Sequence, residues 1–135
     1  MENTVRKWLE EKGLRRRVHL VGPVKDVGSW LSVMDVFLLT SETEGLPNVV
    51  IEAQGFGVPV VSTDAGGVRE IIDDGQTGLI MGETNPNFIA EALITALSEE
   101  AAGWGEKAEA RARELFSAQA MIDSTQRVYL SVLNS

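Results

Sequence analysis

The sequence predicts an α/β fold, a parallel sheet covered by helices on both faces, and three observations predict it. Four short apolar runs, Val18–Gly22, Val36–Leu39, Pro59–Ser62 and Leu79–Met81, are bounded by polar or glycine residues and read as buried strands. Segments of helical periodicity alternate with them, which argues for parallel pairing through crossover helices. Glycine-containing loops follow these strands, at the edge where ligands of such sheets bind. At 135 residues the chain forms one domain, 1–135, with room for a core.

Taken in order, residues 3–13 place Val5, Trp8 and Leu9 on one helical face, with Gly13 as the stop. In the strand Val18–Gly22, His19 is the chain's one histidine. A histidine invites a general-base reading. In mid-strand, opposite Val18 and Leu20, it reads instead as structural. The loop Gly22-Pro23-Val24-Lys25 opens a helix in which Val27, Trp30, Leu31 and Met34 follow i, i+3, i+4, i+7, with Asp26 near its start.

The stretch from Thr40 to Phe56 carries the chemistry. After Val36–Leu39, a loop holding Glu44-Gly45-Leu46 leads into Pro47, a residue suited to the first helical position. The helix of residues 47–56 has Val49, Val50, Ile51, Ala53 and Phe56 nearly all round, so it is expected to be largely buried. It also carries Glu52, which shares a face with Asn48 and leans back toward the loop of Glu44. Free amides at such a helix start suit phosphate, and an ionised Glu accepts hydrogen bonds from sugar hydroxyls. Together they point to a nucleotide or nucleotide sugar. The residues alone leave a plainer reading equally open, a capped buried helix with one salt-bridged Glu.

Downstream, Asp64-Ala65-Gly66-Gly67 lets the backbone turn and approach a neighbour closely. Either a phosphate- or sugar-facing role or a plain turn fits. Glu70 serves a short helix over residues 68–73, and Asp74-Gly75 with Thr77-Gly78 brackets the turn into the last strand. With no Asp-x-Asp and no His–carboxylate cluster, no metal site is expected. Residues 86–98 repeat apolar pairs (Phe88/Ile89, Ala92/Leu93, Ala96/Leu97) behind Pro86, a helix signal. Residues 101–116 are helical in pattern, with Gly103 and Gly105 weakening the first turns. Ser117 then caps a C-terminal helix, 117–135, whose Met121, Ile122, Val128, Tyr129, Val132 and Leu133 fall mainly on one side.

Composition excludes several classes. Twelve Lys and Arg against twenty Asp and Glu give −8, so no nucleic-acid footprint is expected. No cysteine means no disulfide framework and no thiolate metal site, which fits a cytoplasmic setting. No run of 18 apolar residues predicts a transmembrane segment.

The run Ser41-Glu42-Thr43-Glu44-Gly45-Leu46-Pro47-Asn48-Val49-Val50-Ile51-Glu52-Ala53, with seven residues between Glu44 and Glu52, resembles the signature of retaining glycosyltransferases of family 4. More of the pattern follows in order, from Gly57–Asp64 through Ala65–Ile72 to Asp74–Ile80. The resemblance implies the later part of a Rossmann-like donor domain, the C-terminal domain of the GT-B fold. It also implies that the acceptor-binding first domain and the donor domain's first two strands, with the cationic pair that holds the diphosphate, fall outside this chain. Glu44 would then face the donor sugar as the catalytic carboxylate, and Glu52 would accept from the ribose. Gly45, Leu46, Asn48, Val49, Gly66 and Gly67 would line the donor site, and Val24 and Lys25 the base side. The implied donor is a nucleotide diphosphate sugar, used without a metal or other cofactor, and this chain by itself is expected to be inactive. Two other classes stay open: a non-catalytic nucleotide-binding or assembly module, and a nucleotide-sugar epimerase fragment. In a Rossmann strand order the absent strands lie between Val18–Gly22 and Val36–Leu39. The sheet must therefore re-pair, take strands from another chain, or leave edges open, and open edges invite a homodimer.

Overall fold

Residues 2–82 and 84–133 are described by a computed structural model. Two helices come first, α1 (Glu2–Glu11) and α2 (Val27–Leu31), followed by β1 (Phe37–Leu39) and α3 (Asn48–Gly55). Next come β2 (Val60–Thr63), α4 (Val68–Ile71), β3 (Gly78–Met81) and α5 (Pro86–Ala96). A 3₁₀ turn at Glu99–Ala101, α6 (Trp104–Phe116) and α7 (Ala118–Leu133) complete the described chain. The expected last helix, 117–135, ends on two residues outside the described ones.

The sheet is parallel, in the order β1-β2-β3, with Phe37 opposite Val60 and Val60 opposite Gly78. Side chains alternate across it, so the neighbours Val60 and Val61 enter different cores. Val60 packs with Leu31, Val50, Ala53, Val58, Val68, Ile71 and Ile72, under α2, α3 and α4. Val61 packs with Met81, Ala96, Ala101 and Trp104, under α5 and the start of α6. Both faces are thus covered, as the apolar strands require. Two glycines admit close backbone contacts within this frame. A Cβ at Gly78 would lie 2.0 Å from the Val60 carbonyl oxygen, and one at Gly105 would lie 2.3 Å from that of Gly57.

Three expectations are corrected. Val18–Gly22 is not a strand. No ladder partner stands beside it among the described residues, and His19, Val21 and Gly22 are exposed. His19 therefore does not lie within a sheet. The sheet does not re-pair to absorb this segment; it leaves the outer edge of β1 open, with Leu38 37% exposed. The second correction concerns α2, which stops at Leu31 rather than running to Met34. Beyond it, Val33 and Met34 bond back to Trp30 and Leu31, the tighter i−3 pattern that closes a helix.

The third correction is to α3, which is only partly buried. Val50, Ala53 and Gln54 are inside, while Asn48, Glu52 and Phe56 form an exposed stripe. Pro47, buried, sits at the N-cap rather than at the first helical residue. The C-terminal helix α7 begins where Ser117 was expected to cap it, its hydroxyl accepting from the Ala120 amide at 3.2 Å. It has no buried residue. Among the described residues, no helix is long and apolar enough to cross a membrane.

Candidate functional site

The carboxyl ends of β1 and β2 bring two loops together. After Leu39 the chain runs without regular structure to Pro47, and after Thr63 it turns through Asp64–Gly67 into α4. The Thr63 hydroxyl, at the buried end of β2, donates to the Ser41 carbonyl at 2.6 Å. The Gly67 amide donates to the Gly45 carbonyl, also at 2.6 Å. These bonds fasten the loop of Glu44 at two points, to the end of β2 and to the turn that leads into α4.

Both glycines of this turn are required by space. Gly66 has φ +56, and a Cβ there would stand 1.9 Å from the Glu44 carbonyl oxygen. A Cβ at Gly67 would stand 2.9 Å from the Gly45 oxygen and 2.8 Å from a methyl of Leu46. The close approach expected of Gly66-Gly67 is thus made to the loop of Glu44 itself.

The start of α3 is open. Pro47 offers no side-chain acceptor, and the Val50 amide turns back to the Pro47 carbonyl at 3.0 Å. Among the described residues no side chain caps the Asn48 and Val49 amides, which carry the partial positive charge of a helix N-terminus. Asn48 and Glu52 share the exposed stripe of α3, as their spacing requires. Glu44 is half-buried and Leu46 is exposed. The ion pairs among the described residues are Glu2–Arg6, Asp64–Arg69 and Glu109–Arg113, so neither Glu44 nor Glu52 is spent in one. The salt-bridged Glu of the plainer reading is not found.

Not all of the expected residues converge. Val24 and Lys25 are exposed, and no hydrogen bond among the described residues joins them to the loop of Glu44. The helix they lead into is capped by Asp26, whose carboxylate accepts from the Ser29 amide at 3.1 Å and from its hydroxyl at 2.5 Å. Those two bonds hold the Asp26 carboxyl below the usual carboxylate range. Gly28, in the first turn of α2, lies against the ring of Phe56, beyond the end of α3 away from Asn48.

Sequence reasoning does not single out Thr63, Asp64 or Arg69. Thr63 ends an apolar strand, and its partner is a distant carbonyl that no local pattern reveals. Asp64 accepts two hydrogen bonds from Nε of Arg69, at 2.9 and 3.0 Å, and one from Nη2 at 2.7 Å, bracing the turn from outside. The Asp64 carboxylate, by hydrogen bond and then by charge, raises the affinity of the Arg69 guanidinium for its proton. Among the described residues, no three His, Cys, Asp or Glu side chains cluster as a metal site would.

Residues 2–99 match the family model described as glycosyl transferases group 1. The Vi polysaccharide biosynthesis protein VipC/TviE of Salmonella typhi is 51% identical over 74 residues, covering 55% of this chain and 13% of that protein. The N-acetyl-alpha-D-glucosaminyl L-malate synthase of Bacillus anthracis is 29% identical over 132 residues, covering 96% of this chain and 35% of that one. The crystal structure of Anabaena Alr3699/HepE in complex with UDP and glucose superposes on 98% of this chain and 36% of its own, with a TM-score of 0.82 and 23% identity. The chain therefore spans about a third or less of the length of these relatives. Its three-stranded parallel sheet and helices match the C-terminal domain of GT-B glycosyltransferases. The chain belongs to the group 1 glycosyltransferases.

Proposed function

We propose that this chain is the donor-binding part of a retaining glycosyltransferase that moves a sugar from a nucleotide diphosphate sugar to an acceptor. The observation that carries the reading is the uncapped start of α3 with two unpaired carboxylates beside it, Glu44 in the loop and Glu52 on the exposed stripe. Amides of Asn48 and Val49 would receive the diphosphate, whose negative charge grows as the glycosidic bond breaks. Glu52 would accept from the ribose hydroxyls, and Glu44 would face the donor sugar and offset oxocarbenium charge. Gly45 and Leu46 would bound the sugar with Gly66 and Gly67 behind them, and Val24 and Lys25 remain the base-side assignment.

In this reading neither carboxylate is a general base, because front-face transfer with retention needs none. The amides do the electrostatic work for which a metal is otherwise used. The enzyme acts in the cytoplasm. Acceptor binding belongs to a further domain, so the chain tested alone binds a donor nucleotide but transfers nothing. The open edge of β1 supports association along that edge, with the rest of the enzyme or with a second copy.

The test is a calorimetric titration with UDP, GDP and ADP, using Glu52→Ala as control. Saturable binding of one nucleotide, lost in the variant, supports the assignment. Equal binding by both proteins, or binding of none of the three, refutes it.

A further inference from the structure

We infer that Thr63, with Gly66 and Gly67, is a positioning element that sets the Glu44 carboxylate independently of Glu52. The inference rests on the donor-site reading above and deepens it. Glu52 needs no such support, because it stands on a helix whose inner side is packed by Val50, Ala53 and Gln54. Glu44 has no comparable frame. It lies in the stretch from Thr40 to Pro47, which has no helix or strand.

The loop is held from outside, and both holding bonds come from one segment. Thr63 is 6% exposed, and its hydroxyl reaches the Ser41 carbonyl, three residues before Glu44. The Gly67 amide reaches the Gly45 carbonyl, one residue after it. Between these anchors Gly66 lies against the Glu44 backbone, where any Cβ would collide. The carboxylate is thus aimed by its backbone, and that backbone is moulded on residues 63–67.

A consequence separates this role from a general structural one. The Asn48 and Val49 amides and Glu52 ride on α3, whose packing does not involve the Thr63 hydroxyl. Removing that hydroxyl will disturb the part of the ligand that Glu44 faces and spare the part that α3 holds. Sugar recognition and nucleotide recognition will therefore come apart.

Two readouts on the whole chain test this, with Thr63→Val, which removes the donor at nearly constant volume, and Thr63→Ser, which keeps it. Without ligand, hydrogen exchange at the Gly67 amide is expected to quicken about tenfold in Thr63→Val, as one anchor of the loop is lost, while the Ala53 amide in α3 is unchanged. Thr63→Ser should match the wild type. With ligand, Thr63→Val should keep its UDP affinity within about twofold while the affinity ratio of UDP-glucose to UDP shifts, and Thr63→Ser should restore that ratio. An unchanged Gly67 exchange rate, or equal acceleration at Gly67 and Ala53, would overturn the inference. So would a UDP affinity that falls as far as that for UDP-glucose. If the wild type binds GDP or ADP instead, the same comparison is made with that nucleotide and its glucose derivative; if it binds none of the three, the donor-site reading fails, and the exchange measurement alone still decides whether Thr63 positions the loop. Should Thr63→Val not fold, Thr63→Cys carries the same comparison with a weak donor.

Discussion

Gly66 lies so close to Glu44 that a Cβ on it would stand 1.9 Å from the Glu44 carbonyl oxygen. The turn after one strand and the loop after its neighbour are therefore a single packed unit. Gly66→Ala should cost at least about 2 kcal/mol, since left-handed backbone strain and a backbone clash add. Gly75→Ala is the control. Gly75 has φ +74 with nothing within 4 Å of a Cβ, so it bears strain without a clash and should cost only about 1 kcal/mol. Urea denaturation of both variants checks the difference.

Glu52→Ala separates binding from folding. Glu52 is exposed and has no ion-pair partner among the described residues, so its loss should change stability by no more than about 0.5 kcal/mol. If it accepts ribose hydroxyls, nucleotide affinity should fall roughly 10- to 100-fold, the effect of losing hydrogen bonds to a charged group. Calorimetry beside thermal melting measures both quantities on one sample.

A buried polar pair on the other side of α3 gives an asymmetric prediction. The Gln54 amide donates to the Thr77 hydroxyl oxygen at 2.9 Å, and the Asp73 amide donates to the same oxygen at 3.0 Å. The Gln54 carbonyl oxygen is buried without a partner among the described residues. Thr77→Val strips two donors of their acceptor and should destabilise by about 2–4 kcal/mol. Gln54→Leu removes the orphaned oxygen along with the amide and should stay within about 1 kcal/mol of the wild type. Denaturant midpoints compared at equal m-values decide it.

Asp26 predicts a pH dependence. Hydrogen bonds from Ser29 lower its folded-state pKa, so its contribution is fully present above the unfolded carboxylate range, near 3.9, and is lost as pH falls through the lower folded value. Asp26→Ala should therefore be less stable than the wild type at pH 7, and the gap should narrow as pH drops below about 4. Melting temperatures of the two proteins across pH 2–7 check the sign.

Much of this was legible in the residues, and the exceptions share a cause. The loop of Glu44 leading into a helix, the close approach of Gly66-Gly67 and the helix start at Pro86 are local patterns that fold much as they read. Val18–Gly22 has the composition of a strand, but a strand exists only by pairing, and its partner is not a local property. Apolar residues nearly all round the helix of residues 47–56 suggested burial; the stripe Asn48–Glu52–Phe56 faces out because the opposite side of α3 already fills the core with Val50 and Ala53. The Thr63–Ser41 bond was illegible because it links a side chain to a backbone group two loops away. Arg111 was illegible for the same reason. It donates from α6 to the carbonyls of Ile71 at 2.7 Å and Glu70 at 3.0 Å, closing the end of α4.

The most direct test of the donor-site assignment is residue-resolved NMR of the chain during titration with UDP, GDP and ADP. One nucleotide should move the amide resonances of Gly45, Asn48, Val49 and Gly67 with a common saturation curve, and Glu52→Ala should abolish the response. No response to any of the three, or shifts confined to the apolar cavity lined by Leu79, Ile80, Met81, Phe88 and Ala92, would contradict it.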